Sequence, residues 1–137
     1  MLKKGSATVF IIDDDASVRR ALARLVKSAG FEPRTFAGAG EFLREGASHE
    51  IACVVADIRM NGMTGLELQR GLKKSGSTPP FIFITAYDTE EARCQAKRQG
   101  AVAYFRKPVD GQALLDAINW ALSRCVEGDQ SEAPSAF

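Results

Sequence analysis

Cysteine, net charge and long apolar runs are all scarce in this sequence of 137 residues. The 3 cysteines, Cys53, Cys94 and Cys125, are odd in number and widely spaced with no CxxC pair. That excludes a disulfide framework and a zinc site, and it fits a reducing cytosol in which each acts as a small apolar residue. Basic residues number 18 and acidic residues 17, for a formal net charge of +1. A chain so balanced has no broad electrostatic footprint for wrapping nucleic acid. The basic start Met1-Leu2-Lys3-Lys4 is followed by an apolar run far too short for a signal peptide or a membrane span, and that run meets three aspartates. The expected location is the cytoplasm, with no membrane partner.

The chain has a clear alternation of short apolar runs and segments of helical spacing. Strands are expected near 8–13, 32–36, 51–57, 81–85 and 101–105, each followed by a helix. This βα alternation predicts an α/β fold, a doubly wound five-stranded parallel sheet with five helices on both faces. Behind the first strand, Val18, Ala21, Leu22, Leu25 and Ala29 recur at helical spacing, and Gly30 follows as a stop. Gly76 and Gly100 close two further helices, and Pro79-Pro80 forces an extended entry into the fourth strand. The last helix, near 110–124, opens on Asp110 as N-cap and turns Leu114, Leu115, Ile118, Ala121 and Leu122 to the core. Residues 1–6 read as an extension and 7–124 as the folded domain. Residues 125–137, rich in Gly, Ser, Glu, Ala and Pro, read as a disordered tail. There is no internal repeat and no spare helix pair for a helix-turn-helix.

Chemistry gathers where the strands end. The run Ile51 to Ala56 ends in Asp57 and a Gly-rich turn reaching Gly65, while Val9 to Ile12 ends in Asp13, Asp14 and Asp15. Thr85 and Lys107 lie at the ends of two later runs. Parallel sheets place their ligands at this carboxyl edge. Crowded carboxylates resist ionising together, and a hard divalent cation such as Mg²⁺ relieves that with few protein ligands. Simple helix capping explains one of the three aspartates and not the convergence of the others with Asp57, Thr85 and Lys107. A carboxylate beside such a cation can attack phosphorus, with Lys107 and Thr85 supplying positive charge and a hydrogen bond to the equatorial oxygens. Taken singly, Thr85 reads as an ordinary strand-end threonine and Lys107 as a solvated lysine. The loop that must aim Lys107 inward is a natural place for a cis Lys107-Pro108 bond.

These motifs resemble the receiver domain of bacterial two-component response regulators over roughly residues 7–124. The match lies in Ile11-Ile12-Asp13-Asp14-Asp15, in Asp57-Ile58-Arg59-Met60 with Gly62 and Gly65-Leu66-Glu67-Leu68, in Phe83-Ile84-Thr85-Ala86, and in Lys107-Pro108. The resemblance implies a flavodoxin-like strand order 2-1-3-4-5. It implies Asp57 as phosphoacceptor, Asp14 as a direct Mg²⁺ ligand, Asp13 as a ligand through water and the Arg59 main-chain carbonyl as another. Thr85 and Lys107 would contact the phosphoryl group, and Tyr104 would be the aromatic switch, turning inward behind Thr85. Tyr104 as a static, half-buried aromatic is the plainer alternative. Asp15 matches no ligand and reads as a helix cap.

The implied partners are a sensor histidine kinase or phosphotransfer protein, and a downstream protein or second copy reading the face made by the fourth helix, fifth strand and fifth helix. Direct nucleic-acid binding is not expected. His49 falls before the third strand, at the amino edge, so the donor is another protein or a small phosphodonor. Trp120 is expected to point outward beside Arg124, opposite the core stripe, as a contact surface or under a covering side chain. Asn61 stands where the family often carries proline, implying a looser loop, and the bulky Arg59 and Tyr87 occupy positions that tune hydrolysis, implying a phosphoryl lifetime of minutes or longer. Two other readings are a small Mg²⁺-dependent phosphatase with an aspartyl nucleophile, and a receiver-like module that signals by binding without phosphorylation. The short tail favours a stand-alone receiver over the front of a longer regulator.

Overall fold

The computed structural model describes residues 7–45, 52–74, 76 and 78–127. Five strands, β1 (Thr8–Ile12), β2 (Glu32–Phe36), β3 (Ala52–Asp57), β4 (Phe81–Thr85) and β5 (Ala103–Arg106), form one sheet in the order β2-β1-β3-β4-β5. Every pairing is parallel, with Ile12 opposite both Phe36 and Ala56, and Thr85 opposite Arg106. Five helices connect them: α1 (Ala16–Ser28), α2 (Ala39–Glu45), α3 (Gly65–Lys74), α4 (Glu90–Arg98) and α5 (Gly111–Glu127). The doubly wound expectation and the 2-1-3-4-5 order are both what is found.

Strands covered on both faces must be apolar on both, and β1 and β4 are buried at all five positions. Alternate residues feed two cores. Val9, Ile11, Val55, Ile82 and Ile84 pack with Leu22, Val26 and the α5 face Leu114, Ala117, Ile118, Ala121 and Leu122. Phe10, Ile12, Val54, Ala56, Phe81 and Phe83 pack on the other side with Phe42, Leu66, Leu68 and Ala96. A triad of Phe10, Phe36 and Phe42, with centroids 5.2–5.9 Å apart, anchors α2.

Several details depart from the sequence expectation. Ala21 is exposed, and Val26 takes its place beside Leu22 on the buried stripe of α1. β5 starts at Ala103 and not at 101, because Gly100, with φ +83°, ends α4 and the amides of Ala101 and Val102 are spent on Ala96 and Phe81 carbonyls. The last helix runs to Glu127, three residues past the expected 124. Trp120 is half-buried with its indole nitrogen shielded, which fits the covered alternative of the two expected for it. Residues 1–6, Ile51, His49 and everything after 127 lie outside the described residues, as do the side chain of Arg124 and most of the proposed tail.

Candidate functional site

The strand order reverses at β1, whose neighbours are β2 and β3, so the crevice beyond the carboxyl ends of β1 and β3 is the switch point of the sheet. Ile12 and Ala56 are in register, and the next residue on each chain is therefore an aspartate facing its counterpart, Asp13 against Asp57. Asp13 is fully buried, Asp57 is 6 % exposed and Asp14 is open to solvent. One oxygen from each of the three lies within 4.8 Å of the others.

Lys107 reaches this group from the loop after β5, across a cis bond to Pro108. Its Nζ donates to Asp13 Oδ2 at 2.8 Å and to Asp57 Oδ2 at 3.0 Å. Burial works against the charged lysine, but the two carboxylates outweigh it and hold the ammonium above its ordinary range. Asp57 goes the other way: burial pushes its carboxyl up, and Lys107 offsets this only in part. The site therefore holds a carboxyl group at the cost of its own ionisation. Three hard oxygen donors, one of them open to water, are the donor set that suits a cation of the Mg²⁺ type, so the residues present fit such an ion.

Thr85 ends β4, one residue beyond Ile84, the partner of Asp57 in the ladder. Its side chain is buried, and its hydroxyl accepts the Tyr87 amide at 3.0 Å. The Arg59 amide donates to Asp57 Oδ1 at 3.2 Å, while its guanidinium lies over the exposed Tyr87 ring, 4.7 Å from the centroid. These two side chains line a groove of about 360 Å³ together with Ile58, Thr64, Leu66 and Ala92.

Tyr104 is 3 % exposed and sits in the second core, so its ring already occupies the inner position that rotation was expected to produce. The Arg93 guanidinium covers it at 4.9 Å. Arg93 also donates to Asp88 Oδ2 at 2.9 Å. Burial and then Asp88 push the Tyr104 phenol up. Desolvation opposes the Asp88 charge, yet the Tyr104 hydroxyl and Arg93 overcome it and hold that carboxyl below its usual range.

Asp15 caps α1 as expected, accepting from the Ser17 and Val18 amides. Asp110 caps α5 through the Ala113 amide at 2.9 Å. Sequence reading missed the part that five groups play in shaping the site. Thr64 and Glu67 form a reciprocal cap at the start of α3, at 2.9 and 3.1 Å, and the T-x-x-E spacing announces it. Gly65 then brings α3 so close to β3 that a Cβ there would collide with the Asp57 carbonyl. Arg19 and the Gln69–Gln99 pair carry no local signal, because their partners are main-chain atoms or lie 30 residues away, and Arg93 pairs with Asp88 across the start of α4 at a spacing that no helix pattern marks.

Buried carboxylates and a lysine at the switch point of a 2-1-3-4-5 sheet define an α/β protein built around an acidic rim. Residues 9–119 match the response regulator receiver domain family, and the chain belongs to it. It is 43% identical over 122 residues to the transcriptional regulatory protein TdiR of Thauera aromatica, covering 88% of this chain and 54% of that protein. It is 35% identical over 131 residues to the transcriptional regulatory protein FixJ of Azorhizobium caulinodans, covering 95% and 62%. Among solved structures, the response regulator StyR superposes with a TM-score of 0.83 at 42% identity, covering 93% of this chain and 63% of that one. The N-terminal part of FixJ gives 0.79 at 32%, covering 85% and 94%. The chain thus spans little more than half the length of the curated relatives it matches. No helix among the described residues is long and apolar enough to cross a membrane.

Proposed function

We propose that this chain is a signalling phosphoacceptor in a two-component system, receiving a phosphoryl group on Asp57 from a histidine kinase or phosphotransfer protein in the cytoplasm. In transfer, the phosphorus–nitrogen bond of a donor phosphohistidine breaks as a bond from an Asp57 carboxylate oxygen to phosphorus forms. The imidazole leaves with the electron pair and takes up a proton from solvent. The observation that carries this reading is the Lys107 ammonium shared between Asp13 and Asp57, at 2.8 and 3.0 Å, at the switch point of the sheet. Asp13, Asp14, Asp57 and the Arg59 main-chain carbonyl would hold Mg²⁺, which neutralises crowded charge and favours ionised Asp57. Lys107 then turns from the carboxylate to a phosphoryl oxygen, and Thr85 gives up the Tyr87 amide to donate to another.

The chain acts on no other substrate and catalyses only the gain and loss of its own phosphoryl group. Arg59 stacked on Tyr87 narrows the path of attacking water, which supports a phosphoryl lifetime of minutes or longer. The output is the face of α4, β5 and α5, read by a downstream protein or a second copy of the chain and not by nucleic acid. Because Tyr104 is already inside, the response falls on Thr85, Asp88 and the start of α4 more than on the ring itself. Incubation with acetyl phosphate and Mg²⁺, followed by intact mass, tests the reading: wild type gains one phosphoryl group and Asp57→Ala gains none. Equal gain by both, or turnover of phosphate esters with no stable adduct, would replace it with an alternative acceptor or a phosphatase.

A further inference from the structure

Asp13 has every polar atom engaged. Its amide donates to the Phe36 carbonyl at 3.1 Å, Oδ1 accepts the Asp15 amide at 2.9 Å and Oδ2 accepts Lys107 at 2.8 Å. Its carbonyl accepts Arg19 Nη1 at 2.6 Å, a short charge-assisted bond from a half-buried side chain on the second turn of α1. Asp14 is the opposite case. Its carboxylate is exposed and accepts no hydrogen bond among the described residues, so its direction is set by the backbone that carries it.

That backbone begins at the Asp13 carbonyl. The carbonyl of Asp13 and the amide of Asp14 belong to one rigid plane, and turning the plane sweeps the Asp14 side chain across the mouth of the crevice. Asp15 fixes the far side of the turn by capping α1 and donating to Asp13. On the near side, Arg19 is the group that holds the plane. We propose that Arg19 is a positioning residue for cation binding: its bond to the Asp13 carbonyl aims the unsupported Asp14 carboxylate at the site shared with Asp13 and Asp57.

The inference rests on the reading of this rim as a Mg²⁺ site, and it has a sign that separates it from electrostatics. A guanidinium beside a cation site repels the cation, so if charge were all that mattered, removing Arg19 would tighten binding. If Arg19 positions Asp14, removing it weakens binding in spite of the lost repulsion. Losing an outer partner of a metal ligand commonly costs about tenfold or more in affinity.

The test is titration of the chain with Mg²⁺ alone, followed through the amide NMR shifts of Asp14 and Asp57, for wild type, Arg19→Met and Arg19→Lys. Unfolding midpoints in EDTA are recorded alongside. The expected result is a roughly tenfold weaker affinity for Arg19→Met, with Arg19→Lys, which keeps a charged donor, binding more tightly than Arg19→Met. If Arg19→Met loses its fold, Arg19→Gln takes its place and the same weakening is required. A neutral variant that binds Mg²⁺ as tightly as wild type or tighter overturns the proposal, as does Arg19→Lys binding more weakly than Arg19→Met. Wild type that shows no saturable shift overturns the Mg²⁺ reading, and this inference falls with it.

Discussion

Helices α4 and α5 flank the same strand, β5, and are held in opposite ways. α5 buries Leu114, Ala117, Ile118, Ala121 and Leu122 in the first core. α4 buries Ala96 alone. What holds α4 is polar and sits at its ends. At the start, Thr89 caps the Ala92 amide and Arg93 spans Asp88 and the Tyr104 ring. At the finish, the Gln99 amide donates to Gln69 at 2.8 Å and to the Leu66 carbonyl at 3.2 Å, while Lys73 donates to the Gln99 carbonyl at 2.8 Å. Apolar burial tolerates no second arrangement at comparable energy, whereas a few hydrogen bonds can be exchanged for others. α4 is therefore the less deeply anchored of the two helices, which is what the proposed switch at this face requires.

The comparison breaks first on core truncation. Ile118→Ala should cost about 2–5 kcal/mol by denaturant midpoint at unchanged m-value. Cys94→Ala on the exposed side of α4 should fall within about 0.5 kcal/mol of wild type. Comparable losses would mean that α4 is as deeply anchored as α5. Next, Gln99→Ala leaves the side-chain oxygen of Gln69, a residue 2 % exposed, without its donor, and should cost about 1–3 kcal/mol while speeding amide exchange in α4 more than in α5. Uniform exchange across both helices would contradict a joint at Gln99.

A smaller effect of opposite sign is expected at the rim. Asp57 has its pKa raised by burial from the ordinary 3.8, so the stability it contributes is present below that value and is lost as pH rises through the folded one. Asp57→Asn should therefore raise the melting midpoint at neutral pH in EDTA, and a fall would show that the ionised carboxylate is fully compensated by Lys107. Lys107 is raised above 10.5, so its ion pairs persist below that pH and are lost as pH climbs through the folded value. Arg93→Ala, which removes one exposed ion pair, should change stability only slightly. Its signature is faster flipping of the Tyr104 ring in NMR line shapes, and an unchanged ring would show that Arg93 does not hold it.

The sequence made the framework of this molecule readable because burial on both faces of a parallel sheet leaves runs such as FIFIT and IACVVA that nothing else explains. The aspartates, Thr85 and Lys107 were readable for the same reason: each stands where a run stops. What could not be read depends on where side chains travel. Ala21 and Val26 are both apolar, and only the tilt of α1 decides which is inside. Trp120 lies opposite the core stripe yet is half covered, as a large ring readily is. Arg19, Gln69 and Gln99 bond to main-chain atoms or to each other across 30 residues, and no local pattern announces such a pair.

The most direct measurement locates the modified residue itself. After brief exposure to acetyl phosphate and Mg²⁺, borohydride reduction converts an acyl phosphate to an alcohol, and peptide mass mapping reads its position. The account predicts homoserine at position 57 and nowhere else, with no product when EDTA is present. Reduction at Asp13 or Asp14, or none at all in protein whose sheet is intact, would contradict it.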